Sequence, residues 1–178
     1  MCTFLVQMSL SKYTTIHCAE ELQAGDHISW SMEQLSGMLS HHAIVVAHRH
    51  GNQFKVIHVV NNADSADLSS CSASSLPVPG FAKVCEQVID LSQHMGNGTL
   101  CRYDYEPGSC KEPAEVIQNA RSKLGQFSYD LLNNNCEHFA RWCKTGNDLS
   151  IQASIAKGVL KLGYFCASKL AEKTLGIN

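Results

Sequence analysis

Cys136 stands in the string Asn133-Asn134-Asn135-Cys136-Glu137-His138-Phe139. An asparagine run before CEHFARWCK reads as an N-cap and the first turn of a helix that Gly146 ends. A thiol at a helix start lies at the positive end of the aligned peptide dipoles, which favours its thiolate. A thiolate is the nucleophile of cysteine acyl-transfer and hydrolytic chemistry. That chemistry needs an imidazole to take the thiol proton. His138, two residues on, points to another side of the helix and is read as capping or packing. Histidines 41, 42, 48, 50 and 58 are the other candidates. Taken singly, a cysteine is most often a small buried hydrophobe and a strand histidine faces solvent or a hydrogen bond. The helix-start position is what sets Cys136 apart from the other cysteines.

The elements that must position these groups are a hairpin and two helices. Residues 41–48, HHAIVVAH, and 54–60, FKVIHVV, read as its strands, rich in β-branched residues, around a turn signal at His50-Gly51-Asn52-Gln53. Alternation puts His41 with Ala43 and Val45 on one face, and His42 with Ile44, Val46 and His48 on the other. A turn from Ala47 to Asn52 sets residue 41 opposite 58, with two imidazoles facing each other. A tight turn on Gly51-Asn52 slides them apart by about four residues, roughly 13 Å. The wider turn is the expectation, and the sequence does not force it. Upstream, Gly25-Asp26 is a turn, 27–30 alternates like the start of a strand, and 31–40 reads as a loop or short helical turn. Downstream, 82–90 and 99–105 read as strands. KEPAEVIQNARSKLG reads as a helix with Pro113 in its first turn, Val116, Ala120 and Leu124 on one face, and Gly125 as its stop.

A chain of 178 residues is one domain's worth. With 44% hydrophobic and 17% charged residues it is too apolar for disorder and too mixed for a multispanning membrane protein. A formal net charge of -2 offers no basic excess for nucleic acid. The nine cysteines show no CxxC pair, and MCTFLVQMSLSKY lacks the basic region and cleavage site of a secretory signal. The expectation is therefore a cytoplasmic protein with reduced thiols. Neither a cofactor nor a metal site is expected, because the Cys and His positions offer no four-ligand set. Residues 1–24 read as an N-terminal lead-in, 25–146 as the catalytic domain, and the Ser-rich stretch 61–80 as a flexible loop. Residues 147–178 read as an amphipathic helical segment. Ile151, Ile155, Val159, Leu162, Cys166 and Leu170 form an apolar ladder, which Lys157 and Lys161 interrupt as a membrane span. This helix either packs on the protein's own core or lies in a membrane interface.

NNNCEHFARWCKTG resembles the cysteine motif of the lecithin:retinol acyltransferase (LRAT) domain family, which includes the HRAS-like suppressor phospholipase/acyltransferases. The likeness continues upstream in order. AGDHISW is similar to the family's Gly-Asp strand start, SHHAIVVAH to its first histidine strand, and FKVIHVV to its second. EVIQNARSKLGQFSYDLLNNNCEHF is similar to its run of helix, Gly, Tyr and Asn-Cys-Glu-His-Phe. The resemblance implies an α+β, circularly permuted papain-like (NlpC-type) fold, with an antiparallel sheet packed against helices. It implies Cys136 as nucleophile, His41 as general base and His58 as the imidazole that orients it. It implies a thiol-dependent acyltransferase or phospholipase A whose partner is a phospholipid or other acyl lipid; peripheral membrane contact through 149–175 is the expectation of the interfacial reading of the apolar ladder, where the C-terminus departs from relatives that carry an uninterrupted apolar anchor. His42 stands where relatives carry an aromatic or small residue. Two other readings stand beside this one: a cysteine isopeptidase on a similar permuted fold, and a non-enzymatic membrane or protein adaptor.

Overall fold

A computed structural model describes residues 12–32, 39–61, 81–147, 154, 157–159 and 161. Its centre is an antiparallel sheet in the order β1-β6-β2-β3-β4-β5-β7. The strands are β1 (Lys12–Thr15), β2 (His27–Ser31), β3 (Ser40–His48), β4 (Gln53–Asn61), β5 (Ala82–Asp90), β6 (Leu100–Asp104) and the two-residue β7 (Gly125–Gln126). Three helices accompany it: α1 (Ser92–Gly96), α2 (Pro113–Ser122) and α3 (Cys136–Thr145). The class is α+β, and the histidine strands precede the cysteine helix along the chain.

Both faces of the sheet are buried. On one face, Ile44, Val46, Ile57, Val59 and Val84 pack against Val116 and Ala120 of α2 and against Cys136, Phe139, Ala140 and Cys143 of α3. On the other, Trp30, Ala43, Val45, Phe54 and Val56 pack with Ile16, Ala19, Leu22, Leu91, Met95 and Leu100. A strand alternates its side chains between the two faces, so these two lists assign every histidine of β3 and β4 to a face. His41 and His58 belong with Ala43 and Val56, and His42 belongs with Ile44 on the helix side.

The hairpin strands match the expected segments to within a residue, but the pairing differs. A bulge between Val45 and Ala47 shifts the register, and Ala43, not His41, lies opposite His58. An extra residue in one strand is invisible to alternation on either side of it. Beyond the Ala43–His58 pair the strands part. Ser40–His42 pair with β2, while Val59–Asn61 pair with β5. A seam therefore opens between the β3 start and the β4 end.

Residues 12–24, which carry no sequence pattern, supply β1 and a 3-10 turn (Ala19–Glu21) whose Ile16, Ala19 and Leu22 are buried. Gly25, at φ +87°, then turns the chain into β2, and a Cβ there would meet Pro113 Cα at 2.8 Å, so only glycine fits under α2. Helix α2 starts with proline in its first turn and buries Val116 and Ala120 as expected. Leu124 is not on that face. It lies past the helix end and is 46% exposed, and Gly125 opens β7 rather than closing α2. The expected 31–40 and 61–80 loops fall largely outside the described residues. So does most of 149–175, of which Ser154, Lys157–Val159 and Lys161 are helical and exposed.

Candidate active site

The Asn135 side chain fixes the start of α3. Its Oδ1 accepts the backbone N–H groups of Glu137 (2.9 Å) and His138 (3.0 Å), and its Nδ2 donates to Leu131 O (2.8 Å). His138 closes the cap by accepting the Asn135 N–H on Nδ1 (3.1 Å), which is the capping role expected of it. Gly146, at φ +82°, ends the helix. Cys136 is thereby held at the first helical position, 5% exposed, with its thiol donating to Ser40 O at 3.8 Å.

The expected effect of the helix start on this thiol is present but outweighed. Burial pushes the Cys136 pKa up to about 12. The backbone N–H of His42 pulls it down, the Glu137 carboxylate raises it, and the N–H groups of Cys136 and Glu137 pull it down again. At neutral pH the resting group is a thiol. Sequence reasoning weighs the dipole but not the desolvation, which only the packed structure shows.

His41 Nε2 lies 2.9 Å from His58 Nδ1, and the rings meet edge to face at 88°. The bulge puts the two residues on a diagonal rather than directly opposite, and the rings still reach each other. Trp30 covers His41 at 4.8 Å between ring centroids. Burial, then the neighbouring His58, His42 and His94, hold His41 well below the ordinary histidine value. Burial lowers His58 to about 4, against a pull upward from Gln87. Both imidazoles are neutral at pH 7. His41 Nδ1 and His58 Nε2 are buried without a hydrogen bond. Cys136 approaches from the helix side and meets β3 at Ser40 and His42, the two residues that flank His41. The structure thus joins His41 to His58 directly. It brings Cys136 to the backbone around His41, with the thiol's hydrogen bond going to Ser40.

A second polar network on the helix side was not anticipated from sequence. His42 Nδ1 lies 2.9 Å from His27 Nε2, and His27 Nδ1 lies 2.7 Å from Tyr105 Oη. Tyr103 stacks on His27 at 4.4 Å. The carboxylate of Glu137, 1% exposed, takes the Arg141 Nε–H at 2.9 Å, and Arg141 lies over the Tyr103 and Tyr105 rings. Burial lowers His42 to about 4, with Glu137 pulling it upward. The alternating order of His27-Ile28-Ser29 was the available signal, since it puts residue 27 on the face of Ser29, opposite His42. His48 is spent on the turn, 2.7 Å from Gly51 O. Among the described residues no group of three or more His, Cys, Asp or Glu side chains is placed to hold a metal ion.

The fold and site define an α+β protein in which a helix-start thiol meets a strand carrying one of two coupled neutral imidazoles. The family model described as lecithin retinol acyltransferase matches residues 20–149, and the chain belongs to that family. Bovine lecithin retinol acyltransferase is 51% identical over 77 residues, 41% of this chain and 34% of that protein. The mouse protein of the same name is 33% identical over 77 residues, 41% of this chain and 33% of its own. Rat phospholipase A and acyltransferase 1 is 47% identical over 111 residues, 59% of this chain and 64% of that protein. The matches thus span from a third to just under two thirds of these relatives' lengths. No solved structure matches.

Proposed function

We propose that this protein is a thiol-dependent acyltransferase or phospholipase A that acts on lipid acyl groups through a thioester on Cys136. The observation that carries the reading is the placement of the Cys136 thiol on the backbone either side of His41. The free nitrogen of His41, Nδ1, is a buried acceptor without a partner, and its other nitrogen is held by His58 at 2.9 Å. In this reading the thiol leaves Ser40 O and, through the seam where the β3 start parts from the β4 end, gives its proton to His41 Nδ1 on the other face of the sheet as sulfur attacks the ester carbonyl. A neutral thiol beside a neutral imidazole suits this order, since the proton moves in the attack and not before it. In the same reading the N–H groups of Cys136 and His42, which with that of Glu137 act on the sulfur, serve the carbonyl oxygen as it gains charge. The imidazolium of His41 returns its proton to the departing alkoxide, leaving the acyl group on sulfur. His41 then takes a proton from water or from an acceptor amine or hydroxyl, which attacks the thioester and frees the thiol. His58 orients His41 throughout.

The names of the relatives support acyl lipids as the substrate class. Contact with a membrane through 149–175 is part of the same proposal. Lys157 and Lys161 are exposed there, and Val159, on the apolar ladder, is 64% exposed, which favours an interfacial helix over one packed on the core. Among the described residues no helix is long and apolar enough to cross a membrane. A cytoplasmic or peripheral location belongs with this reading.

The test is intact-mass spectrometry after incubation with mixed phospholipids. The expected result is one acyl adduct, absent from Cys136→Ala, with turnover lost by about 10⁴-fold or more in that variant. Cys143→Ala, two turns along α3, keeps rates within about twofold. Cleavage of a ubiquitin-like conjugate without any lipid adduct would replace this reading with the isopeptidase one.

A further inference from the structure

We propose that Tyr129 is a catalytic residue of this site, whose phenolic O–H donates a hydrogen bond to the oxyanion formed on the substrate carbonyl. The inference rests on the reading of Cys136 as nucleophile and adds a residue that neither the motif logic nor the imidazole pair requires.

Tyr129 is 5% exposed, and its hydroxyl is buried without a hydrogen-bond partner. A buried phenol usually finds one, because an unmet O–H in an apolar setting is costly. The ring packs in the same cluster as Cys136, Phe139 and Ala140. Its hydroxyl is therefore held dry in the cluster that also holds the nucleophile, with its donor unspent.

The backbone explains how it is held there. Asp130 and Asn134 form an isolated antiparallel bridge, with Asp130 N–H to Asn134 O at 3.0 Å and Asn134 N–H to Asp130 O at 2.8 Å. The intervening loop is pinned by the Asp130 carboxylate, which accepts the N–H groups of Leu132 and Asn133 and the Asn133 amide. Asn135 Nδ2 ties the same loop to the helix cap through Leu131 O. Tyr129 and Asn135 are the residues just outside the two ends of this closed loop. The device that starts α3 under the thiol therefore also presents Tyr129 to it. Burial, then the charges of Cys136 and Asp130, keep the phenol protonated well above its ordinary value. It thus remains a donor through the working pH range.

A donor that is unpaired in the resting protein and paired only when the carbonyl oxygen becomes negative stabilises the transition state and not the ground state. No proton is transferred. The O–H stays on Tyr129 and the thiol proton travels through His41 as before.

The decisive variant is Tyr129→Phe, which removes one oxygen and keeps the ring. If the hydroxyl is catalytic, kcat for a short-chain ester falls by about 10²-fold, between roughly 10 and 10³, with KM within about twofold. The melting temperature stays level or rises, because an unmet buried polar group has been removed. The pH profile of Cys136 alkylation by iodoacetamide stays where it is, because the donor serves the oxyanion and not the resting sulfur. Full activity in Tyr129→Phe overturns the proposal. So does a lower melting temperature with kcat unchanged per folded molecule, which would make the hydroxyl structural. A shifted alkylation profile overturns it in favour of a thiolate donor. If Cys136→Ala retains turnover, the nucleophile assignment itself fails, and that result is separate from all three.

Discussion

Acid should unfold this protein through its buried histidines before its carboxylates titrate. His27, His42 and His58 are fully buried and His41 is 1% exposed. Burial holds all four below the ordinary value near 6.5, with His42 and His58 at about 4. The unfolded chain therefore binds protons below pH 6.5 that the native chain refuses, and stability falls with pH until the native groups titrate near 4. Each imidazole costs about 2 kcal/mol between pH 7 and pH 5, so the four together remove about 8 kcal/mol. That is a large share of the roughly 5–15 kcal/mol of a typical domain. The carboxylates of Glu86, Asp90 and Asp130 are lowered by their partners, so their contribution is lost only below about pH 4.5. Urea unfolding at pH 7, 6 and 5, followed by the fluorescence of Trp30 and Trp142, reads the effect. His42→Gln, which keeps a hydrogen-bonding group for His27 and removes one titrating ring, should flatten the slope. A change below about 1 kcal/mol between pH 7 and pH 5 would refute the assignment of these rings as buried and neutral.

The same burial sets the pH dependence of turnover. With His41 well below 6.5, the base stays neutral in mild acid, so the acid limb of kcat should lie below pH 6.5, and a midpoint at or above 6.5 would contradict it. His41→Ala should lower kcat by about 10³-fold or more, while His58→Gln, which can still accept a hydrogen bond from His41, retains a measurable fraction; equal losses in a steady-state assay would remove the distinction between base and orienter. Asn135→Ala should cost about 1–2 kcal/mol of stability in denaturant titration, since one side chain serves two N–H groups and a carbonyl, and an unchanged midpoint would show that the cap is dispensable. Deleting 149–178 should abolish salt-sensitive binding to anionic liposomes and spare activity on a soluble short-chain ester; a truncated protein that precipitates would place the segment in the core.

Helix α3 was fully legible, because an asparagine cap and a glycine stop are local chemistry, and both ends fall where those residues put them. The strands of the histidine hairpin were legible for the same kind of reason, through their β-branched runs. Their register was not. It depends on the bulge at Val45–Ala47 as well as on the turn, and neither changes the alternation of the residues near His41. Residues 12–24 gave no signal, since a four-residue edge strand and a single 3-10 turn are too short to show a period. The proton state of Cys136 was read from the helix end alone. The opposing penalty comes from burial in the cluster that Tyr129, Phe139 and residues of β3 share with Cys136, and β3 lies far from Cys136 in sequence.

The peptide unit between His41 and His42 carries consequences for how this sequence can drift. It joins two hydrogen-bonded imidazole pairs that face opposite sides of one strand, so turning either ring's backbone turns the other's. A change at His27 or Tyr105, on the helix side, is therefore felt by His41 without touching it. Positions 27, 42 and 105 are not free to turn apolar one at a time: a single apolar replacement takes a hydrogen-bond partner from its neighbour, while a matched set of apolar residues removes all of these needs at once. Variation at these three places should come in coordinated steps. A library randomising all three should return functional variants as compatible trios, seldom as the sum of tolerated single changes.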